Sequence, residues 1–298
     1  MSARPHSFTS VTIEVEDPVA ASLFYQYHVG LEEVRVDGDE RFLRCGLDHH
    51  SVHLVRRHGV GSARVAAVAY SVETAEGLAN LARSLEDAGH RVDEIRSARA
   101  RHALDGFETV DPNGLTVQIV HEPFVFAEPP SSAFAPVEMV HPFLWTDRYE
   151  ASEHFYVDVL GFRPSDYIER KLVFLRGADR WHHSLALLKS DSFTVAHLCF
   201  LMPSLEDVMR GRARAMYRGV ELPVDLVKHS ASESIAVYLH DPRFGPWIEL
   251  CDSHRRLTAE EDDHDHRPRR MADDPRNVMD VWRASADHDW RAASAPET

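Results

Sequence analysis

The sequence predicts an α+β fold in which four β-α-β-β-β modules pair into two barrel-like domains. Two observations carry that prediction. FLRCGLDHHSVHL, from Phe42 to Leu54, returns as FLRGADRWHHSLAL, from Phe174 to Leu187. The same offset of 130 to 133 residues relates Phe24-Tyr25 to Phe155-Tyr156, Gly30 to Gly161, and Asp111-Pro112 to Asp241-Pro242. One supersecondary unit used twice fixes an architecture before any local reading does.

The elements follow in order. VTIEV alternates apolar and polar residues as a half-buried strand does, and DPVAASLFYQYHVG reads as a short amphipathic helix closed by Gly30. EVRVD, RFLRCG and SVHLVRR are strand candidates that complete the first module. VAAVAYSV, the helix AEGLANLARSLEDAG and two strands, LTVQIV among them, make the second. The later half repeats the order: VEMVHPFLWT, the helix EASEHFYVDVLG, HHSLALLK, TVAHLCFLM, the helix SLEDVMRGRARAMYRG, IAVYLHDP and PWIEL. The Pro/Ser-rich AEPPSSAFAP marks a linker. Domains are therefore expected at 1–126 and 137–255, joined by 127–136 and followed by a charged tail at 256–298.

Composition bounds the function. Of 298 residues, 44% are hydrophobic and 27% charged, as expected of a soluble two-domain chain. A net charge of -15 argues against binding nucleic acid, and no apolar run is long enough to span a membrane. MSARPHSFTS lacks the apolar core of a secretory signal, which points to the cytoplasm. Cys45, Cys199 and Cys251 fit neither a disulfide framework nor a zinc site. Cys199 and Cys251 each lie two residues past a residue of interest below and are read as small-residue packing.

The two copies differ where chemistry could sit. The second has His141, His197 and Glu249 where the first has Ser10, Ala67 and Gln118. A single strand histidine is more often packing than a ligand. Two imidazoles and a carboxylate that occur together in one copy only are different. They form the set that holds one face of a six-coordinate ion and leaves the other face open, as in non-haem Fe(II) oxygenases. The first copy is expected to bind no metal.

Val227 to Glu249, VKHSASESIAVYLHDPRFGPWIE, carries a more specific signature: His229, Val237, Tyr238, Asp241, Pro242, Gly245 and Glu249. On these residues the chain resembles the type I extradiol (ring-cleaving) dioxygenases of the vicinal oxygen chelate superfamily, over residues 1 to about 255. Its one departure is a pair of residues, Arg243 and Phe244, between Pro242 and Gly245, where the family has one. The resemblance implies two vicinal-oxygen-chelate domains, with Fe(II) (or Mn(II)) on His141, His197 and Glu249 of the second.

It also implies roles. His183 would handle the dioxygen end and transfer protons, His229 would stand on the catechol side, and Tyr238 would hydrogen-bond the ionised substrate hydroxyl. His182 is expected to point away from the pocket by strand alternation. The HHS tripeptide also survives around His50 in the copy without ligands, so part of its role is structural. The implied partners are a catecholic small molecule and O2, with no nucleic acid and no membrane, in a homo-oligomer.

Two other readings fit the same residues. One is a related two-domain dioxygenase acting on a hydroquinone or a 2-oxo acid. The other is a non-catalytic binding protein of the superfamily. His229 and Tyr238 at family spacing favour the catechol. Beyond Asp252 the charge-dense tail is expected to be solvated and to stay outside the site, with one short helix or turn pinned onto the body by Met279, Trp282 or Trp290. The His264-Asp265-His266 triplet there is read as solvated.

Overall fold

A computed structural model describes residues 4–59, 61–95, 102–265, 268–271 and 279–282. Each repeat forms one sheet. In the first, β1 (Phe8–Val15), α1 (Pro18–Phe24), β2 (Glu32–Asp37), β3 (Glu40–Arg44) and β4 (Val52–Arg56) make one module. Its second module comprises β5 (Arg64–Val72), α2 (Ala75–Asp87), β6 (Asp93–Glu94), β7 (Ala103–Val110) and β8 (Thr116–Pro123). The later half gives β9 (Glu138–Thr146), α3 (Tyr149–His154), β10 (Arg163–Ile168), β11 (Leu172–Arg176) and β12 (Leu185–Lys189). After these come β13 (Thr194–Leu201), α4 (Leu205–Arg218), β14 (Val227–Lys228), β15 (Ile235–Leu239) and β16 (Trp247–Asp252). A further strand, β17 (Arg269–Met271), comes from the tail.

The strand orders coincide. The first sheet runs β2-β3-β4-β1-β5-β8-β7-β6. The second, read from its tail edge, runs β17-β10-β11-β12-β9-β13-β16-β15-β14, the same order with β17 added outside β10. In each, the modules meet along an antiparallel pair, β1 with β5 and β9 with β13. Each pair is flanked by parallel partners, β4 and β8 in one sheet, β12 and β16 in the other.

Local chemistry explains the helix ends. Asp17 accepts from the backbone N–H groups of Val19 and Ala20, with Pro18 in the first turn. Thr74 and Ser204 accept likewise at the starts of α2 and α4. Each such cap is worth about 1 kcal/mol. Both α1 and α3 end in one wide turn, Tyr25–Val29 and Phe155–Val159. Gly30 has φ 87°, and a Cβ there would sit 1.9 Å from the Phe134 carbonyl oxygen, so the linker packs onto this glycine.

Two expectations need correction. Strand β12 begins at Leu185, so His182 and His183 lie in the bend before it, and alternation does not govern them. The tail is also not merely solvated. Asp262 is buried and accepts from Arg176 Nε at 2.7 Å and from Arg4, while β17 pairs with β10. Met279 packs with Phe143, Ile168 and Phe174, whereas Trp282 is 47% exposed. The side chains of the His264-Asp265-His266 triplet, and Trp290, lie outside the described residues.

Candidate metal centre

Three neighbouring strands carry the three predicted ligands. In the ladder, Cys199 on β13 stands opposite His141 on β9 and opposite Glu249 on β16, and His197 lies two residues before it. Period-two alternation then turns all three toward one face. His141 Nε2 lies 3.2 Å from His197 Nε2 and 3.5 Å from Glu249 Oε2. His197 Nε2 lies 3.1 Å from the same Oε2. Ligand atoms about 2.1 Å from a shared ion and at right angles to one another lie about 3 Å apart, so the spacing fits a divalent cation. All three residues are buried.

Electrostatics agree with that fit. Burial pushes the Glu249 carboxyl up, but hydrogen bonds from His141, His197 and His229 outweigh it and hold it well below the carboxylate range. Burial lowers His141 to about 4 against the opposing pull of Glu249. A carboxylate and a neutral imidazole are the forms that ligate. Cys199 and Cys251 are buried with their sulfurs 3.3 Å apart, the packing role expected of them.

The proposed pocket residues converge on the same point. His183 Nε2 is 3.2 Å from His141 Nε2. His229 Nε2 is 3.0 Å from the Tyr238 hydroxyl and 3.5 Å from Glu249 Oε1, and its Nδ1 donates to the Met279 carbonyl at 2.6 Å. Phe143, Phe174, Ala231, Ser232 and Met279 complete a cavity of about 20 Å³ around the polar groups. A larger cavity, about 490 Å³ and lined by Arg64, Asn113, Trp145, His240 and Trp247, contains none of the three ligands.

Sequence reasoning missed two contributors. His254 is buried with neither ring nitrogen hydrogen-bonded, and its ring centroid lies 4.7 Å from that of His183. Met279 comes from the tail. The repeat comparison did not single them out: the offset of 131 sets His254 against Pro123, and Met279 lies beyond the repeat.

In the first sheet the same frame is empty of ligands. Ser10, Ala67 and Gln118 line a cavity of about 310 Å³, where the Gln118 amide donates to Glu108 at 3.1 Å. A different group stands nearby: His49, His50 and His102 gather within ligand reach of one another.

This fold and donor set define a class. The family model of the glyoxalase/bleomycin resistance protein/dioxygenase superfamily matches residues 138–250, which span the second unit. Among particular relatives, the manganese-dependent 2,3-dihydroxybiphenyl 1,2-dioxygenase of Geobacillus genomosp. 3 is 24% identical over 254 residues, covering 76% of this chain and 78% of that protein. The Mn(II)-bound glyoxalase from Novosphingobium aromaticivorans superposes with a TM-score of 0.82 at 25% identity, covering 94% of this chain and 91% of that one. Homoprotocatechuate 2,3-dioxygenase from Arthrobacter globiformis shares the fold at a TM-score of 0.82 and 19% identity, over 94% of this chain and 88% of its own. Among the described residues, no helix is long and apolar enough to cross a membrane.

Proposed function

We propose that the chain is an extradiol dioxygenase, cleaving a catecholic ring next to its vicinal hydroxyls and placing both atoms of O2 in the product. The observation that carries this reading is the convergence of His141, His197 and Glu249 in the one sheet that also gathers His183, His229 and Tyr238. The 2,3-dihydroxybiphenyl and homoprotocatechuate activities of the relatives support the substrate class.

His141, His197 and Glu249 would hold Fe(II) or Mn(II). When bound, such an ion lowers the pKa of a chelating hydroxyl and offers open positions for substrate and O2. The remaining roles belong to the chain. The Tyr238 hydroxyl, 3.0 Å from His229 Nε2, is placed to donate a hydrogen bond to an ionised catechol oxygen, with His229 standing on the same side of the site. The Met279 carbonyl accepts a hydrogen bond from the Nδ1–H of His229 and so fixes its ring. Phe143 and Phe174 supply apolar walls for a flat ring. His183 faces the site through Nε2, where it can take a hydroxyl proton and return it to oxygen.

The test loads the full chain anaerobically with Fe(II) or with Mn(II), adds 2,3-dihydroxybiphenyl, and then admits air. A yellow ring-opened product with one O2 consumed per product supports the reading. Tight catechol binding without O2 uptake under either metal would overturn it in favour of a binding protein.

A further inference from the structure

We propose that Asp166 and His182, clamped by Arg269, form a positioning relay that sets the ring orientation and tautomer of His183, so that His183 presents a bare Nε2 to the site. The inference rests on the reading of His183 as the proton-handling group. The chain of contacts is continuous from the tail strand to the metal face. Arg269 donates from Nε and Nη2 to the two oxygens of Asp166 at 2.8 and 2.5 Å, and its backbone N–H donates to Oδ1 at 3.2 Å. Asp166 Oδ2 lies 2.8 Å from His182 Nε2, and His182 Nδ1 lies 3.0 Å from His183 Nδ1. His183 Nε2 then faces His141 Nε2. Asp166 and His182 are 0% exposed and His183 is 4% exposed, so the Asp166–His182 and His182–His183 contacts are shielded from solvent.

Donor counting gives the relay a direction. An ionised carboxylate only accepts, so the proton on the first contact belongs to His182 Nε2. A neutral imidazole has one donor and one acceptor, so His182 Nδ1 must accept, and only the Nδ1–H of His183 is there to donate. The other nitrogen of His183 is therefore left with its lone pair turned to the site. The charge states agree. Burial pushes Asp166 up, but its bonds to His182 and Arg269 bring it down to about 2. Burial lowers His182 despite the carboxylate beside it, which keeps the ring neutral. A proton taken up at His183 Nε2 leaves the Nδ1–H bond intact, so the ring gains and returns one proton without turning.

The first unit isolates what is special. Its His49 and His50 repeat the ring pair: Nδ1 atoms 3.0 Å apart and planes at 88°, against 89° for His182 and His183. The ring pair alone is thus a feature of the repeat. What stands behind it differs. In the β10–β11 register Asp166 pairs with Phe174, and in the β2–β3 register the residue paired with Phe42, the counterpart of Phe174, is Arg35. A cation cannot accept a proton from an imidazole. Among the described residues the first sheet also ends at β2, with no strand corresponding to β17 to bring in an arginine. Among the described residues, carboxylate and clamp occur together behind the ring pair only in the unit that carries the three candidate ligands.

The test uses the full chain with 2,3-dihydroxybiphenyl and three variants, Asp166→Asn, Asp166→Glu and His183→Ala, together with 15N NMR of the histidine-labelled, metal-free wild type. Asp166→Asn should keep its metal and its KM while kcat falls roughly 10- to 100-fold, as for other outer groups that orient a working histidine. Asp166→Glu should recover part of that loss. In the wild type, the 15N spectrum should show His183 protonated at Nδ1, a result that needs no variant to fold. An Nε2–H tautomer for His183 would overturn the relay. So would a wild-type kcat in Asp166→Asn when His183→Ala is slow. If His183→Ala itself turns over normally, the functional reading is what fails.

Discussion

The two units share strand order, ladder registers and even a paired histidine bend, yet only the second sets two imidazoles and a carboxylate at the three equivalent ladder positions. In the first, the frame of Ser10, Ala69 and Gln118 superposes in register on that of His141, Cys199 and Glu249. Its polar groups satisfy one another, Gln118 with Glu108, where the second unit turns imidazoles and a carboxylate toward a common point. Backbone geometry is thus a platform that tolerates either content. The difference lies in side chains at three register positions and in what the tail adds behind them.

The comparison breaks most sharply at the ligands. Replacing His141, His197 or Glu249 by alanine should abolish metal binding and turnover together, whereas Ser10→Ala or Gln118→Ala should change neither. Metal analysis of each purified variant checks this. Metal kept by Glu249→Ala would refute the assignment.

A smaller contrast concerns the repeated bend. His183→Ala should retain metal yet slow turnover by about 10²-fold or more, and His50→Ala should leave turnover intact. Steady-state rates with metal content measured in parallel decide it. Damage from His50→Ala as large as from His183→Ala would make the bend purely structural.

Truncation after residue 258 tests what the second unit alone acquired. It removes Asp262 and Arg269 and leaves Arg176, 3% exposed, without its carboxylate. The uncompensated charge should cost roughly 3 kcal/mol or more in urea unfolding, with turnover lost as well. A truncated chain as stable and active as the full one would restore the dispensable tail that the sequence suggests.

Acid should attack the same place. Hydrogen bonds from Arg4 and Arg176 outweigh burial and hold Asp262 at about 2, below its ordinary 3.8. A depressed carboxylate stabilises the fold above its unfolded value and loses that contribution as pH falls through the folded one. The loss of roughly 2 kcal/mol therefore falls between about pH 4 and pH 2. Asp262→Asn should flatten that window in acid unfolding curves; an unchanged acid profile would count against the pairing.

The smallest effect separates the two first helices. Asp17→Ala should lower stability by about 1 kcal/mol, since Asp17 caps α1 by two hydrogen bonds, whereas Arg148 at the start of α3 makes no side-chain cap and its replacement loses none. Thermal denaturation of the two variants gives the comparison directly.

Repetition made much of this legible in one dimension. Matching positions 130 to 133 residues apart gave the module order, and the exchange of Ser10, Ala67 and Gln118 for His141, His197 and Glu249 singled out the candidate donors. The reason is physical: a ladder register fixes which residues share a face, so equivalent positions in two copies face equivalent space. A signal for the relay also lay in the chain, as Arg35 against Asp166, but a charge reversal on a strand has no meaning until the neighbouring bend is seen to deliver His182 to it. The chain order by itself also set His182 and His183 in a strand, because bends and strands of polar residues look alike without their hydrogen-bond partners.

Three things belonged to the tertiary structure alone. His254 reaches His183 because the chain leaving β16 pairs with the bend, the His182 N–H donating to the Arg255 carbonyl and the Leu257 N–H to that of Arg180. Met279 covers the cavity and accepts from His229 across fifty positions of sequence. Arg269 finds Asp166 only when β17 pairs with the edge of β10. Sequence determines content that repeats or alternates, since period and register are local rules. Contacts made once, by a segment with no period and no counterpart, are decided by where burial and charge pairing become favourable after the sheet has formed.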